Sequence, residues 1–150
     1  MFWIYQKGKI NSLDDFPKGA FGFIYEIEHL PTGKKYIGKK VLFHNQKRKK
    51  TRAELAEQVG RGRKSIHKIV TKESDWKTYY GSNTYLKKRL TEGEVTLEDL
   101  QKQILELAFN KKHLTYLETK WLFQLEVLEQ PEKYYNDNIL GKFFTSDFDI

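Results

Sequence analysis

Apolar and polar positions alternate through Gly22-Phe23-Ile24-Tyr25-Glu26-Ile27-Glu28, a run rich in β-branched and aromatic residues. That pattern predicts a strand. Leu30-Pro31-Thr32-Gly33 carries turn chemistry, and Lys35-Tyr36-Ile37-Gly38 reads as a second short strand, so the two predict a β-hairpin. Residues 51–59 (TRAELAEQV) predict a short helix ended by Gly60, and RGRKS after it a loop. Ser74-Asp75-Trp76 resembles a helix start leading into WKTYY, broken by Gly81-Ser82-Asn83, with TYLKKRL helical again up to Gly93. Residues 100–109 (LQKQILELAF) fit a strand and a buried helix equally. The clearest helix spans 113–130. Its stripe is Leu114, Leu117, Trp121, Leu125 and Leu128, and Pro131 follows it. The tail from Tyr134 reads as loop.

The stripe contains an acid. On a wheel of about 100° per residue with Leu114 at 0°, Leu117, Trp121, Leu125 and Leu128 fall at about 300°, 340°, 20° and 320°, and Glu118 at about 40°. A carboxylate inside an apolar arc is costly unless a cation, a metal or a donor meets it. Glu118 therefore reads either as a structural salt bridge or a stripe-edge acid that reaches out to solvent, or as a group serving metal ligation or catalysis. The hairpin adds two phenols. Any register with an odd index sum places Tyr25 and Tyr36 on one face, where they serve core packing or a shared site. Lys39 follows the second strand directly. Arg48 and Arg52 lie one helical turn apart if that segment is helical. Tyr134-Tyr135-Asn136 follows the Pro-terminated helix, and Asn136 can tie down backbone or lie near a phosphate.

Charge sharpens this picture. The 150 residues hold 27 Lys and Arg against 20 Asp and Glu, a net of +7. Residues 39–72 contain twelve bases and two acids, so this stretch alone is +10 and the remainder −3. A patch so concentrated favours a polyanion, because each base that neutralises a phosphate releases a condensed counterion. Lys40, Lys47, Lys49, Lys50, Arg52, Arg61, Arg63 and Lys64 are the expected nucleic-acid contacts.

Composition excludes other classes. With no cysteine there is no disulfide scaffold, thiolate metal site or cysteine nucleophile. His29, His44, His67 and His113 show no metal-binding spacing, and there is no Gly-rich phosphate loop or GxSxG. No apolar run approaches the ~18–20 residues of a spanning helix. No signal-peptide pattern precedes or follows MFWIY, so a cytoplasmic setting is expected, with no membrane partner. The length predicts one domain over 1–150.

Gly22-Phe23-Ile24-Tyr25 followed by Tyr36-Ile37-Gly38, with a later helical Glu118 and a later Asn136, resembles the GIY-YIG nucleases from about Phe21 to Phe144. The basic insert followed by Ser74-Asp75-Trp76 and Tyr79-Tyr80-Gly81-Ser82 is similar to the phage-encoded and restriction-type branch. The resemblance implies an α+β fold. It has a small three-stranded antiparallel sheet flanked by helices, a basic insertion after the second strand, and LQKQILELAF as the third strand. It implies a DNA endonuclease with Mg²⁺ (or Mn²⁺) held by Glu118. Tyr25 is then the general base, Tyr36 orients water or phosphate, and Lys39 and Asn136 complete the site. The family arginine falls where this chain has Gln46, so Arg48 is the first candidate and Arg52 the second. Double-stranded DNA is the implied substrate, for a monomer or a homodimer. The competing reading is a non-catalytic basic nucleic-acid-binding module.

Overall fold

A computed structural model describes residues 2–60 and 62–148 of the chain, which forms two compact units. The first holds residues 1–42 and 75–150, the second residues 43–74.

The first unit is built on a sheet of β1 (Trp3–Tyr5), β2 (Gly8–Ile10), β3 (Gly22–His29), β4 (Lys34–Val41) and β7 (Leu100–Ala108), in the order β2-β1-β7-β3-β4. The hairpin forms as expected. β3 and β4 pair antiparallel from Gly22↔Val41 to His29↔Lys34, and Gly33 takes a φ of 72° in the turn. β7 pairs antiparallel with the other side of β3.

The expectation of a three-stranded antiparallel sheet is overturned. The sheet has five strands and is mixed, because β1 runs parallel to β7 (Trp3↔Lys102) and folds back as β2. Five residues of MFWIY show too little periodicity to read as a strand. What recruits them is tertiary. The far side of β7 is a row of unpaired backbone groups that β1 satisfies. Trp3 seals the joint, 1% exposed, with its indole N–H donating to the Trp76 carbonyl at 2.7 Å.

β7 also explains why its own pattern was ambiguous. A bulge opposite Ile24 and Tyr25 shifts the register by one residue. Leu100, Lys102 and Ile104 are buried before it, and Leu107 and Ala108 after it. The alternation therefore changes phase mid-strand, and one buried slot holds a lysine.

The two faces of the sheet carry different cores. On one, Ile24, Ile37 and Ala108 pack against Leu114, Leu117 and Leu122 of α3 (Lys111–Gln124), joined by Val127, Leu128 and Ile139. On the other, Trp3 meets Phe23 and Tyr25 edge-on, Phe16 meets Trp76, and Tyr25 meets Tyr79. α3 starts two residues earlier than expected, capped by Asn110, and ends at Gln124 rather than at Gln130, with Glu126 left-handed (φ 53°). Leu125 and Leu128 still pack on the same core, so the apolar period runs past the helix that it suggested.

Residues 74–80 form no helix; 76–78 make a single turn. Lys102 donates to the carbonyls of Lys77 (3.0 Å) and Tyr79 (2.7 Å), acceptors that a helix would use for its own ladder. α2 (Thr84–Thr91) follows, with Asn83 as its N-cap. The tail carries a small two-stranded sheet, β8 (Asn138–Ile139) with β9 (Phe143–Phe144).

The second unit is an antiparallel ribbon of β5 (Phe43–Lys49) and β6 (His67–Glu73), bridged by the short α1 (Arg52–Ala56) with a Thr51/Glu54 capping box. These strands were not visible in sequence because neither FHNQKRK nor HKIVTKE covers a core, and so neither has an apolar period.

Candidate active site

The site assembles along the outer edge of β4. At every second residue this edge strand presents an outward N–H and C=O that need partners. The Lys35 N–H donates to the Lys133 carbonyl at 2.8 Å, and the Tyr135 N–H to the Lys35 carbonyl at 2.7 Å. Asn136 takes the next pair. Its Oδ1 accepts from the Ile37 N–H at 3.0 Å and its Nδ2 donates to the Ile37 carbonyl at 2.8 Å. The third outward position, Lys39, meets Glu118. Its backbone N–H helps to hold the carboxylate, and its Nζ lies 3.6 Å from Oε1. Lys39 Nζ also donates to Thr115 Oγ1 at 3.1 Å, one helical turn before Glu118.

These groups border a cleft of about 590 Å³ lined by Tyr36, Lys39, Ser82, Glu118, Asn136 and Asp137, among others. Tyr36 and Ser82 share a hydrogen bond of 2.9 Å between their hydroxyls. Glu118 reaches the cleft because Leu122 extends the apolar face of α3. On the wheel Leu122 falls at about 80°, so Glu118 at about 40° is flanked by buried leucines. Burial pushes the Glu118 carboxyl above its ordinary value, and Lys39 opposes the shift. Burial likewise raises the Tyr36 phenol, against the Ser82 hydrogen bond.

Tyr25 stands behind this wall. It shares the Tyr36 face of the sheet, its ring 6.2 Å from that of Tyr36. It is 1% exposed and does not line the cleft. Its hydroxyl lies 3.5 Å from that of Tyr79. Its phenol is raised well above the usual range, first by burial and then by its tyrosine neighbours and Glu118.

Of the residues expected from sequence, Tyr36, Lys39, Glu118 and Asn136 thus share one cleft, with Tyr25 packed beside Tyr36. Lys40 shares the Tyr36 face of β4 but does not line the cleft; it pairs with Asp75 and lies 4.0 Å from the Tyr79 ring. Arg48 belongs to the second unit and pairs there with Glu54 at 2.8 Å. Lys47, Lys49, Lys50, Arg52, Arg63 and Lys64 are also in that unit, and Arg61 lies outside the described residues. The cation lining the cleft is Lys39. Sequence reasoning missed Ser82 and Asp137 as lining groups. They come from loops far from β4 in sequence, and no spacing rule points to them.

A hard divalent cation such as Mg²⁺ takes one or two carboxylates and keeps its other positions for water and phosphate oxygens. Glu118 suits that demand. It is a half-buried carboxylate facing open space, while the Asn136 amide is already spent on Ile37. Among the described residues, no group of three or more His, Asp or Glu forms a closed metal cage.

The family model described as "Putative endonuclease segE, GIY-YIG domain" matches residues 3–139. No curated protein and no solved structure matches the chain.

Proposed function

The chain belongs to the GIY-YIG endonuclease-domain family, and on that premise we propose that it hydrolyses phosphodiester bonds in double-stranded DNA with one divalent cation. The observation that carries the reading is the convergence of Glu118, Lys39 and Tyr36 on one cleft from a helix and an edge strand.

Glu118 would hold Mg²⁺ or Mn²⁺, which when bound supplies Lewis-acid stabilisation of charge on the scissile phosphate and its leaving oxygen. Lys39 offsets the charge of a phosphate entering beside Glu118. Asn136 fixes the backbone between Tyr36 and Gly38, and so the direction of the Tyr36 side chain. Tyr36 is the phenol that can touch a water in the cleft. Burial and the Glu118 charge keep it protonated in the free protein. Positive charge nearby, Lys39 included, favours the form that accepts a proton. The reading therefore assigns the water contact to Tyr36 and a positioning role to the sealed Tyr25, the reverse of the order that the resemblance suggested.

The test is supercoiled plasmid incubated with the protein in Mg²⁺ or Mn²⁺, with EDTA and Glu118→Gln as controls. Nicking that needs metal and is lost in Glu118→Gln is the expected result. Tyr36→Phe should lower the rate by about 10²–10⁴-fold, the scale of a lost general base, and by more than Tyr25→Phe. Salt-sensitive binding without nicking in either metal would replace this reading with that of a non-catalytic nucleic-acid-binding module.

A further inference from the structure

The whole formal charge of this protein sits in its second unit. Residues 43–74 hold ten Lys and Arg against three acids, a net of +7. The first unit is left with seventeen of each and no net charge. The second unit is thus where the positive charge is concentrated, and the two faces of its ribbon are built differently.

Cross-strand partners share a face. On one, Arg48 and Lys68 both pair with Glu54 of α1, which holds that carboxyl well below the usual carboxylate range. The positive charge there is partly spent. The other face carries Asn45 opposite Thr71, Lys47 opposite Ile69 and Lys49 opposite His67. All six are exposed, Ile69 by 66%. The composition is that of a reading surface. Two lysines can meet phosphates. Thr71 Oγ1 donates to Asn45 Oδ1 at 3.1 Å, which leaves the Asn45 amide N–H groups, the Thr71 oxygen as an acceptor and the His67 ring to meet base edges, and a bare Ile suits a thymine methyl.

We infer that this face of the β5–β6 ribbon enters the major groove of duplex DNA and supplies the sequence preference of the protein. The inference rests on DNA being the substrate, as in the reading above. Dimensions agree. A two-stranded ribbon fits the roughly 12 Å major groove. Seven residues per strand span about 23 Å at ~3.3 Å per residue, or about six to seven base pairs. Charge selects a nucleic acid over an uncharged or basic partner. The ribbon shape selects B-form DNA over duplex RNA, whose deep, narrow major groove side chains cannot read.

The test uses full-length protein carrying Glu118→Gln, in EDTA, so that binding is read without cleavage. A random duplex pool is bound, recovered and sequenced. Enrichment of a short motif is expected, with duplex RNA a poor competitor. Asn45→Ala, Ile69→Ala and Thr71→Ala should each relax the motif at one or two positions by about tenfold, with little change in salt dependence. Asn45→Gln serves where the alanine variant loses its far-UV spectrum. Lys47→Ala with Lys49→Ala should weaken binding to all sequences and lower the log–log salt slope by about two. Gln46→Ala, on the opposite face, should leave the motif intact. No enrichment by the parent protein, or a motif indifferent to all three face variants, overturns the inference. Enrichment in a protein whose wild type fails to nick plasmid would retain the ribbon as reader and sink only the nuclease reading.

Discussion

The phenol of Tyr25 lies across Gly38, its partner on the neighbouring strand. A Cβ at position 38 would stand 2.6 Å from Tyr25 Cζ and closer still to its hydroxyl. The motif glycine is therefore a space for an aromatic ring. Tyr25 in turn braces Tyr79 and sits beside Tyr36, so the bare position supports the wall of the cleft.

Gly38→Ala should destabilise the fold by about 1–3 kcal/mol, the usual cost of overpacking, and lower cleavage further than that loss explains. Chemical denaturation beside plasmid nicking at a temperature where the variant is folded would show it. Gly33→Ala makes a useful contrast. Its cost is conformational, since φ there is 72° with open space around it, and its effect on cleavage should be small once the protein is folded.

Asn136→Ala should expose both backbone groups of Ile37, at a cost of about 1–3 kcal/mol for buried partners left unmade. The Ile37 amide should lose hydrogen-exchange protection ahead of the rest of β3 and β4. Asn136→Asp keeps the acceptor and loses the donor, leaving a carboxylate beside the Ile37 carbonyl, and should be no better than alanine. Unchanged protection at Ile37 in both variants would remove Asn136 from its positioning role.

Glu118 should weaken the metal-free protein near neutrality. Its folded value is raised above its unfolded one, so the native state holds the proton more tightly than the unfolded state does. Its favourable contribution is present below the ordinary carboxylate range and is lost as pH rises through the raised value. In EDTA at pH 7, Glu118→Gln should therefore unfold at a higher temperature than the parent. The gap should close towards pH 4. A glutamine variant less stable than the parent at both pH values would contradict this.

Lys102 behaves in the opposite sense. Burial lowers its value from 10.5 to about 8, against the pull of the carbonyls of Lys77 and Tyr79 and of the Trp3 ring 4.2 Å away. Between about 8 and 10.5 the unfolded chain holds the proton that the native state has released, so this group adds stability as pH rises through that window. The free energy of unfolding of the parent relative to Lys102→Met should shift in favour of the parent from pH 8 to 10.5, by at most about 1.4 kcal/mol per pH unit. Groups other than residue 102 are common to both proteins and cancel in the comparison. A difference that stays flat over this range would show that Lys102 keeps its proton.

What could be read directly from the chain was local. The alternation of 22–28 and the Pro-Thr-Gly turn predict the hairpin and allow registers with Tyr25 and Tyr36 on one face, and the observed pairing of Gly22 with Val41 is one of them. A single helical period placed Glu118 among leucines, and a count of charges located the basic unit. Tertiary structure decided the rest. The N-terminal strand exists because β7 has an edge to cover. The phase of β7 turns on one bulge, and a lysine fills an apolar slot because two carbonyls from residues 77 and 79 meet it. Asn136 reaches Ile37 across 99 residues and Ser82 reaches Tyr36 across 46. Such partners are selected by unsatisfied backbone and hydroxyl groups that meet only once the chain has folded, so neither composition nor periodicity carries a trace of them.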